Sequence, residues 1–210
     1  MQITVLTVNP FQENTYVISN GTDAVLVDSG FSTAAEFGQL RRLTGDDGLN
    51  LKAVLLTHAH VDHVLGLQRV LDYYDVPVYL SHTDLHLWEN YMSQAALFGF
   101  EAKPFGFTPK DYPPDRITTG GMTFHIIPTP GHAPDHVSLY SPEHSVLIAG
   151  DVLFRESIGR TDLYKGDFQE LERSIRERLY ILPDQTRVLP GHGPETSIGH
   201  EKKFNPFVRG

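Results

Sequence analysis

The sequence predicts an α/β protein built as a four-layer αββα sandwich, in one domain spanning residues 1–210. Three observations carry that expectation. Short β-branched runs alternate with helical stretches along the whole chain. The two halves share one element order, strands followed by a helix and a further strand. The residues able to bind a metal all fall where a strand ends and the chain turns, which is where α/β proteins place their chemistry. No close internal repeat or low-complexity tract is visible, so the pseudo-symmetry rests on element order alone.

Taken in order, residues 3–8, 15–19 and 24–28 read as the strands of a meander, with Asn9-Pro10 and Asn20-Gly21 between them. Asn20-Gly21 between apolar runs predicts a tight hairpin with both turn residues at positive φ. A helix follows from a cap at Ser32 or Thr33 through Leu43, with Ala34, Phe37, Leu40 and Leu43 as its apolar stripe. Residues 52–56 form a short buried strand, which the chain leaves through 57–63 into a helix over about 62–74. A strand at 76–80 and a helix at 83–97 come next, then an irregular stretch, 98–115, rich in Pro, Gly and Phe. The later strands are 122–127, 135–140 and 145–149, followed by a helix at 167–180 and a last strand at 187–189.

Charge and composition exclude several classes of function. Acidic residues outnumber basic ones 26 to 17, for a formal net charge of -9, and no basic tract interrupts the balance. A nucleic-acid partner is therefore disfavoured, because phosphate neutralisation needs clustered Lys and Arg. With no cysteine, neither disulfides nor thiolate ligands are available, and any metal must be met by imidazole and carboxylate. Residues 1–8 alternate like a strand rather than a leader, and no apolar run reaches membrane-spanning length. The expectation is a cytoplasmic protein without a membrane partner.

The segment Thr57-His58-Ala59-His60-Val61-Asp62-His63 places four potential ligands within six residues, directly after a strand. In extended backbone, residues two apart point the same way, so His58 and His60 can converge on one cation. Asp62 and His63 fall where the chain turns into a helix and can serve a second. A catalytic ion of the zinc type needs about three protein ligands and a position for water, so further donors must come from elsewhere. His132 in Pro130-Gly131-His132, His192 in Pro190-Gly191-His192 and Asp151 after Gly150 all stand at strand exits. The partition this suggests gives one metal His58, His60 and His132, the other Asp62, His63 and His192, with Asp151 bridging. Zinc is the preferred ion, with iron or manganese also suited. The remaining histidines, His82, His86, His125, His136, His144 and His200, read as ordinary polar side chains.

These motifs, T-H-A-H-V-D-H, T-P-G-H at His132, A-G-D-V-L-F at Asp151 and L-P-G-H-G at His192, resemble the metallo-β-lactamase superfamily over nearly the whole chain. Asp28-Ser29-Gly30, Ile158-Gly159-Arg160-Thr161-Asp162 and the ending through Asn205-Pro206-Phe207 are similar to the glyoxalase II group, the hydroxyacylglutathione hydrolases, in their short bacterial form without a C-terminal helical domain. The resemblance implies the metallo-β-lactamase fold, two divalent ions, catalytic roles for Asp62 and Asp151, and Asp28 as the carboxylate behind a ligand histidine. It also implies Arg160 as a contact to the glycine carboxylate of glutathione; a tyrosine expected two residues later is Asp162 here.

The activity this implies is hydrolysis of a small thioester such as S-lactoylglutathione, by a solvent molecule activated between two cations. A thiolate leaves readily, so no strong general acid is required. The alternatives are a persulfide dioxygenase with a single iron, hydrolysis of a lactone or phosphodiester, and a binding module whose metal is structural. Tyr91, Phe98, Phe100, Phe105 and Phe107 are candidates for a substrate lip, or for ordinary packing. Oligomeric state is not legible.

Overall fold

The first sheet is built around an apolar run, Ala24 to Val27, that is inaccessible to solvent. In the computed structural model, which describes residues 1–45 and 48–210, strands β1 (Gln2–Val8), β2 (Glu13–Ser19), β3 (Asp23–Val27), β4 (Asn50–Leu55) and β5 (Val78–Tyr79) lie in the order β1-β2-β3-β4-β5. β2 is buried along its entire length, whereas β1, at the edge, is largely exposed. β1, β2 and β3 pair antiparallel as a meander, and β4 and β5 then add in parallel. A parallel neighbour requires a crossover, which helix α1 (Ala34–Leu43) supplies between β3 and β4.

The second sheet repeats this plan. Its order is β13-β12-β9-β8-β7-β6, with β6 (Arg116–Thr119), β7 (Met122–Pro128), β8 (Val137–Ser141), β9 (Val146–Gly150), β12 (Arg187–Pro190) and β13 (Thr196–Ser197). β7, β8 and β9 are antiparallel, and β12 joins β9 in parallel after helix α6 (Phe168–Ser174). A short hairpin, β10 (Leu153–Phe154) with β11 (Ser157–Ile158), follows β9, and helix α7 (Ile198–Phe204) follows β13. The chain clusters into two units, residues 1–112 with 118–122, and residues 113–117 with 123–210. Leu147, Ala149, Leu171, Ile175, Leu179, Val188 and Ile198 form the core of the second.

Several elements differ from the sequence expectation. The hairpin at Asn20-Gly21 has only Gly21 at positive φ, at 95°. Asn20 instead uses its side chain, whose Oδ1 accepts from the Thr22 and Asp23 amides at 3.0 and 2.9 Å. The α1 stripe reduces to Phe37 and Leu40; Ala34 is exposed and Leu43 half-buried. The helix expected over 62–74 is two helices, α2 (Val61–Val64) and α3 (Leu67–Leu71), separated at Gly66. There the Phe31 backbone passes so close that a Cβ on Gly66 would stand 2.8 Å from its nitrogen.

The helix expected over 83–97 likewise divides at Asn90 into α4 (His86–Glu89) and α5 (Tyr91–Leu97); the Asn90 side chain and amide both donate to the His86 carbonyl. Residues 175–179 close α6 in a π turn, with the Tyr180 amide donating to Ile175 O. β6, the β10–β11 hairpin, β13 and α7 were not foreseen; most of these strands are two residues long and show no period.

Candidate metal centre

Of the seven donors the sequence singles out, four lie in the first unit and three in the second, and each set is ordered by its own scaffold. In the first unit the chain leaves β4 at Thr57, and the rings of His58, His60 and His63 gather, with centroids 4.8 Å apart for His58 and His60 and 4.2 Å for His58 and His63. Asp28, at the exit of β3 with φ 58°, orients two of them. His63 Nδ1 donates to Asp28 Oδ2 at 2.9 Å. Thr57 Oγ1 donates to the same oxygen at 2.8 Å and so accepts from His58 Nδ1 at 3.0 Å, while the Thr57 amide binds Asp28 Oδ1. Both imidazoles are thereby held with the proton on Nδ1, which leaves Nε2, on the far side of the ring, as the atom able to coordinate a metal. His63 Nε2 stands 3.7 Å from Asp62 Oδ2.

Two side-chain amides brace the loop itself. Asn9, from the β1–β2 turn, donates to the carbonyls of Gly30 and Asp62, each at 2.9 Å. Gln94, from α5, accepts from the Val61 amide at 3.2 Å and donates to the Ala59 and Leu87 carbonyls at 3.1 and 2.7 Å, pinning the peptides on either side of His60. Neither residue was singled out in the sequence; an Asn or Gln far from the motif gives no signal. Glu13 was also missed. It is fully buried 3.8 Å from His63 Nδ1, and burial pushes its carboxyl well above the ordinary value while His63 pulls it back down.

In the second unit, His132, Asp151 and His192 come from three strand exits. His132 Nε2 and His192 Nε2 stand 3.6 and 3.4 Å from one and the same oxygen, Asp151 Oδ2. Such separations are too long for hydrogen bonds. They match two donors sharing a tetrahedral ion, which at bonds of about 2.1 Å stand about 3.4 Å apart. Imidazole and carboxylate donors in this number fit zinc, iron or manganese.

The His132 turn is built tightly against α6. Gly131 has φ 127°, and a Cβ there would fall 2.3 Å from the Leu171 nitrogen. The Asp167 amide donates to Gly131 O and the Ser174 hydroxyl to Pro130 O. His132 Nδ1 donates to the Arg160 carbonyl at 2.8 Å, again leaving Nε2 as the donor atom. In Pro190-Gly191-His192-Gly193 the left-handed residue is Gly193, after the histidine, at φ 74°.

Arg160, expected to meet a substrate carboxylate, is exposed and forms a two-bond pair with Asp162 at 2.7 and 2.8 Å, which lowers the Asp162 carboxyl to about 2. The aromatic residues split into two groups. Phe105 stacks between Trp88 and Tyr91, with Phe107 edge-on to Trp88, while Phe98 and Phe100 pack around Phe11. Among the other histidines, His136 departs from the expectation of an ordinary polar side chain. It is 1% exposed and bonded to the Asp151 amide.

The family model of the metallo-beta-lactamase superfamily matches residues 8–192. The chain belongs to that superfamily. Its two sheets agree with solved members of the fold: a structure titled BLEG-1 B3 metallo-beta-lactamase superposes with a TM-score of 0.87 at 39% identity, covering 100% of both chains. A second, titled TTHA1623 in a di-iron-bound form, gives 0.87 at 38% identity and covers 98% of this chain and 100% of that one. Among curated relatives, the hydroxyacylglutathione hydrolase GloC of Haemophilus influenzae is 34% identical over 218 residues, 99% of this chain and 98% of that protein. A metal-dependent hydrolase of this superfamily is the level of function these findings support. Among the described residues, no helix is long and apolar enough to cross a membrane.

Proposed function

We propose that the two donor sets close on a pair of divalent cations and that the protein hydrolyses small thioesters, with S-lactoylglutathione as the type substrate. The observation that carries this reading is the single oxygen of Asp151 facing two histidine Nε2 atoms at 3.6 and 3.4 Å, the arrangement of a carboxylate shared by two ions. His58, His60 and His132 would hold one ion and Asp62, His63 and His192 the other. The chemistry such a pair supplies is a solvent molecule acidified towards neutral pH and an electrophile for the substrate carbonyl.

The protein's own residues do the rest. Asp28 and the Arg160 carbonyl hold three imidazoles in the tautomer that presents Nε2, so no reorganisation is needed when charge develops. Asp62 and Asp151 would be the carboxylates among the donors, able to orient the solvent molecule such a pair activates. The absence of cysteine agrees with oxygen and nitrogen ligation throughout. Likeness to GloC supports glutathione thioesters, and the protein is read as cytoplasmic. Arg160 would reach the glutathione carboxylate by exchanging Asp162 for it. Solvent screens such an exposed pair, so Asp162→Asn should lower KM for S-lactoylglutathione only modestly, by up to about 5-fold, and leave neutral thioesters unchanged.

Likeness to BLEG-1 favours a second reading, hydrolysis of a β-lactam. One preparation, assayed for metal content, oxygen uptake with a glutathione persulfide, and turnover of S-lactoylglutathione, other thioesters, a lactone, a phosphodiester and a β-lactam, separates these. Two ions per chain with thioester turnover is expected. One iron with oxygen consumption on a persulfide would replace hydrolysis by oxygenation, and β-lactam turnover above that of every thioester would replace the substrate class.

A further inference from the structure

His136 lies four residues beyond His132, inside the second unit, and both of its ring nitrogens are engaged. The directions of the bonds around it follow from which groups can donate. The Ala149 carbonyl only accepts, so Ser138 Oγ spends its proton there, at 3.2 Å. Ser138 Oγ then accepts from Thr129 Oγ1 at 3.0 Å, and Thr129 Oγ1 accepts from His136 Nδ1 at 2.8 Å. With the proton on Nδ1, the neutral ring has a bare Nε2, which accepts the Asp151 amide proton at 3.0 Å. The other end gives the same answer independently, because an amide N–H only donates.

These bonds form a closed clasp. It begins at Ala149 O and ends at Asp151 N, the two peptide groups on either side of Gly150, whose φ is 53°. Thr129, Ser138 and His136 are each nearly inaccessible to solvent. The left-handed bend at Gly150 turns the chain out of β9 and aims the next side chain, so the clasp fixes the point from which the Asp151 carboxylate departs.

We infer that His136 is a positioning residue for Asp151, acting through its bare Nε2 on the Asp151 amide, with Thr129 and Ser138 setting its tautomer. The inference rests on reading Asp151 as the ligand shared by two ions. A carboxylate that must meet two ions at once tolerates little displacement, and an unmatched buried amide at its base would also be costly.

The test compares the wild-type chain with His136→Leu, His136→Gln and Thr129→Val. Zinc stoichiometry and affinity are read by competition with a chelator of known affinity, melting is read without metal, and the imidazole tautomer is read from long-range nitrogen–proton correlation in labelled protein. The wild-type ring should be protonated on Nδ1 and bare on Nε2. His136→Leu should lose about 10- to 100-fold in zinc affinity, and His136→Gln, whose amide oxygen can replace Nε2 as acceptor, should regain most of it. Thr129→Val should fall between them. A ring protonated on Nε2 overturns the inference, as does wild-type affinity in His136→Leu. An equal loss in Leu and Gln variants overturns it too, by assigning the effect to ring packing. If His136→Leu does not fold, the Gln variant and the tautomer still decide. A wild-type chain that takes up no zinc removes the two-ion reading and this one together, whereas zinc uptake indifferent to position 136 removes this one alone.

Discussion

The two units solve one problem, the presentation of several candidate metal donors, in opposite ways. The first crowds His58, His60, Asp62 and His63 onto one loop after β4 and braces that loop from outside with Asp28, Asn9 and Gln94. The second takes His132, Asp151 and His192 from three separate strand exits and gives each its own fixture: the Arg160 carbonyl, the His136 clasp and the turn at Gly193. The sheet plans behind them are alike, with three antiparallel strands and then a parallel one across a helix. Both plans bend left-handed where the chain leaves the strand before the crossover helix, at Asp28 just past β3 and at Gly150 at the end of β9. The difference teaches where redundancy lies. A crowded loop has several braces, so losing one is partly compensated, whereas a donor on its own strand exit has few.

The sharpest way to break that comparison is at the shared carboxylate. Asp151→Asn should lower kcat by about 100-fold or more, since several kcal/mol of charge stabilisation depend on it. It should also reduce zinc to fewer than two ions per chain, measured by elemental analysis; two tightly held ions in the variant would show that Asp151 is not shared. Asp28→Ala comes next. It removes the partner of two imidazoles at once, and metal affinity should fall by about 10- to 100-fold in a chelator competition. Gln94→Met should cost less, under about 10-fold, because Asn9 and Asp28 still hold the same loop. A Gln94 variant as damaging as Asp151→Asn would refute the idea that crowding brings redundancy.

The smallest effect belongs to the cap of α1. Thr33 and Glu36 form a capping box, and Glu36 also accepts from the Asn9 amide and from Ser32. Burial raises the Glu36 carboxyl, but these hydrogen bonds outweigh it and leave the group below its ordinary value of 4.5. Its contribution is therefore present above about pH 4.5 and lost as the pH falls through the lower folded value. Glu36→Gln should destabilise by about 1 kcal/mol at pH 7, and the gap between variant and wild type in thermal melts should close at acid pH.

Much of this architecture was legible because its signals are local. A short run such as 52–56 followed by T-H-A-H-V-D-H announces a strand and a donor loop within a dozen residues, and the two Pro-Gly-His turns mark strand exits by composition. The cap at Thr33 was legible for the same reason. What escaped depended on contacts distant in sequence. At the break the Gly66 amide donates to the Ser29 carbonyl, 37 positions earlier, instead of along the helix, and Gln94 serves a loop more than 30 residues before it. His136 read as an ordinary polar side chain because the Thr129 hydroxyl that engages it, and the Ser138 hydroxyl that Thr129 engages in turn, are brought together only once β7 and β8 pair.

The shared support of Asp28 has a consequence for how the centre fills. One carboxylate oxygen receives His63 directly and His58 through Thr57, and on the proposed partition those two rings serve different ions. Whatever settles one ring stiffens the anchor of the other. Zinc added at one equivalent should therefore divide the population into empty and fully loaded molecules, and a titration followed by native mass spectrometry should show few chains carrying a single ion.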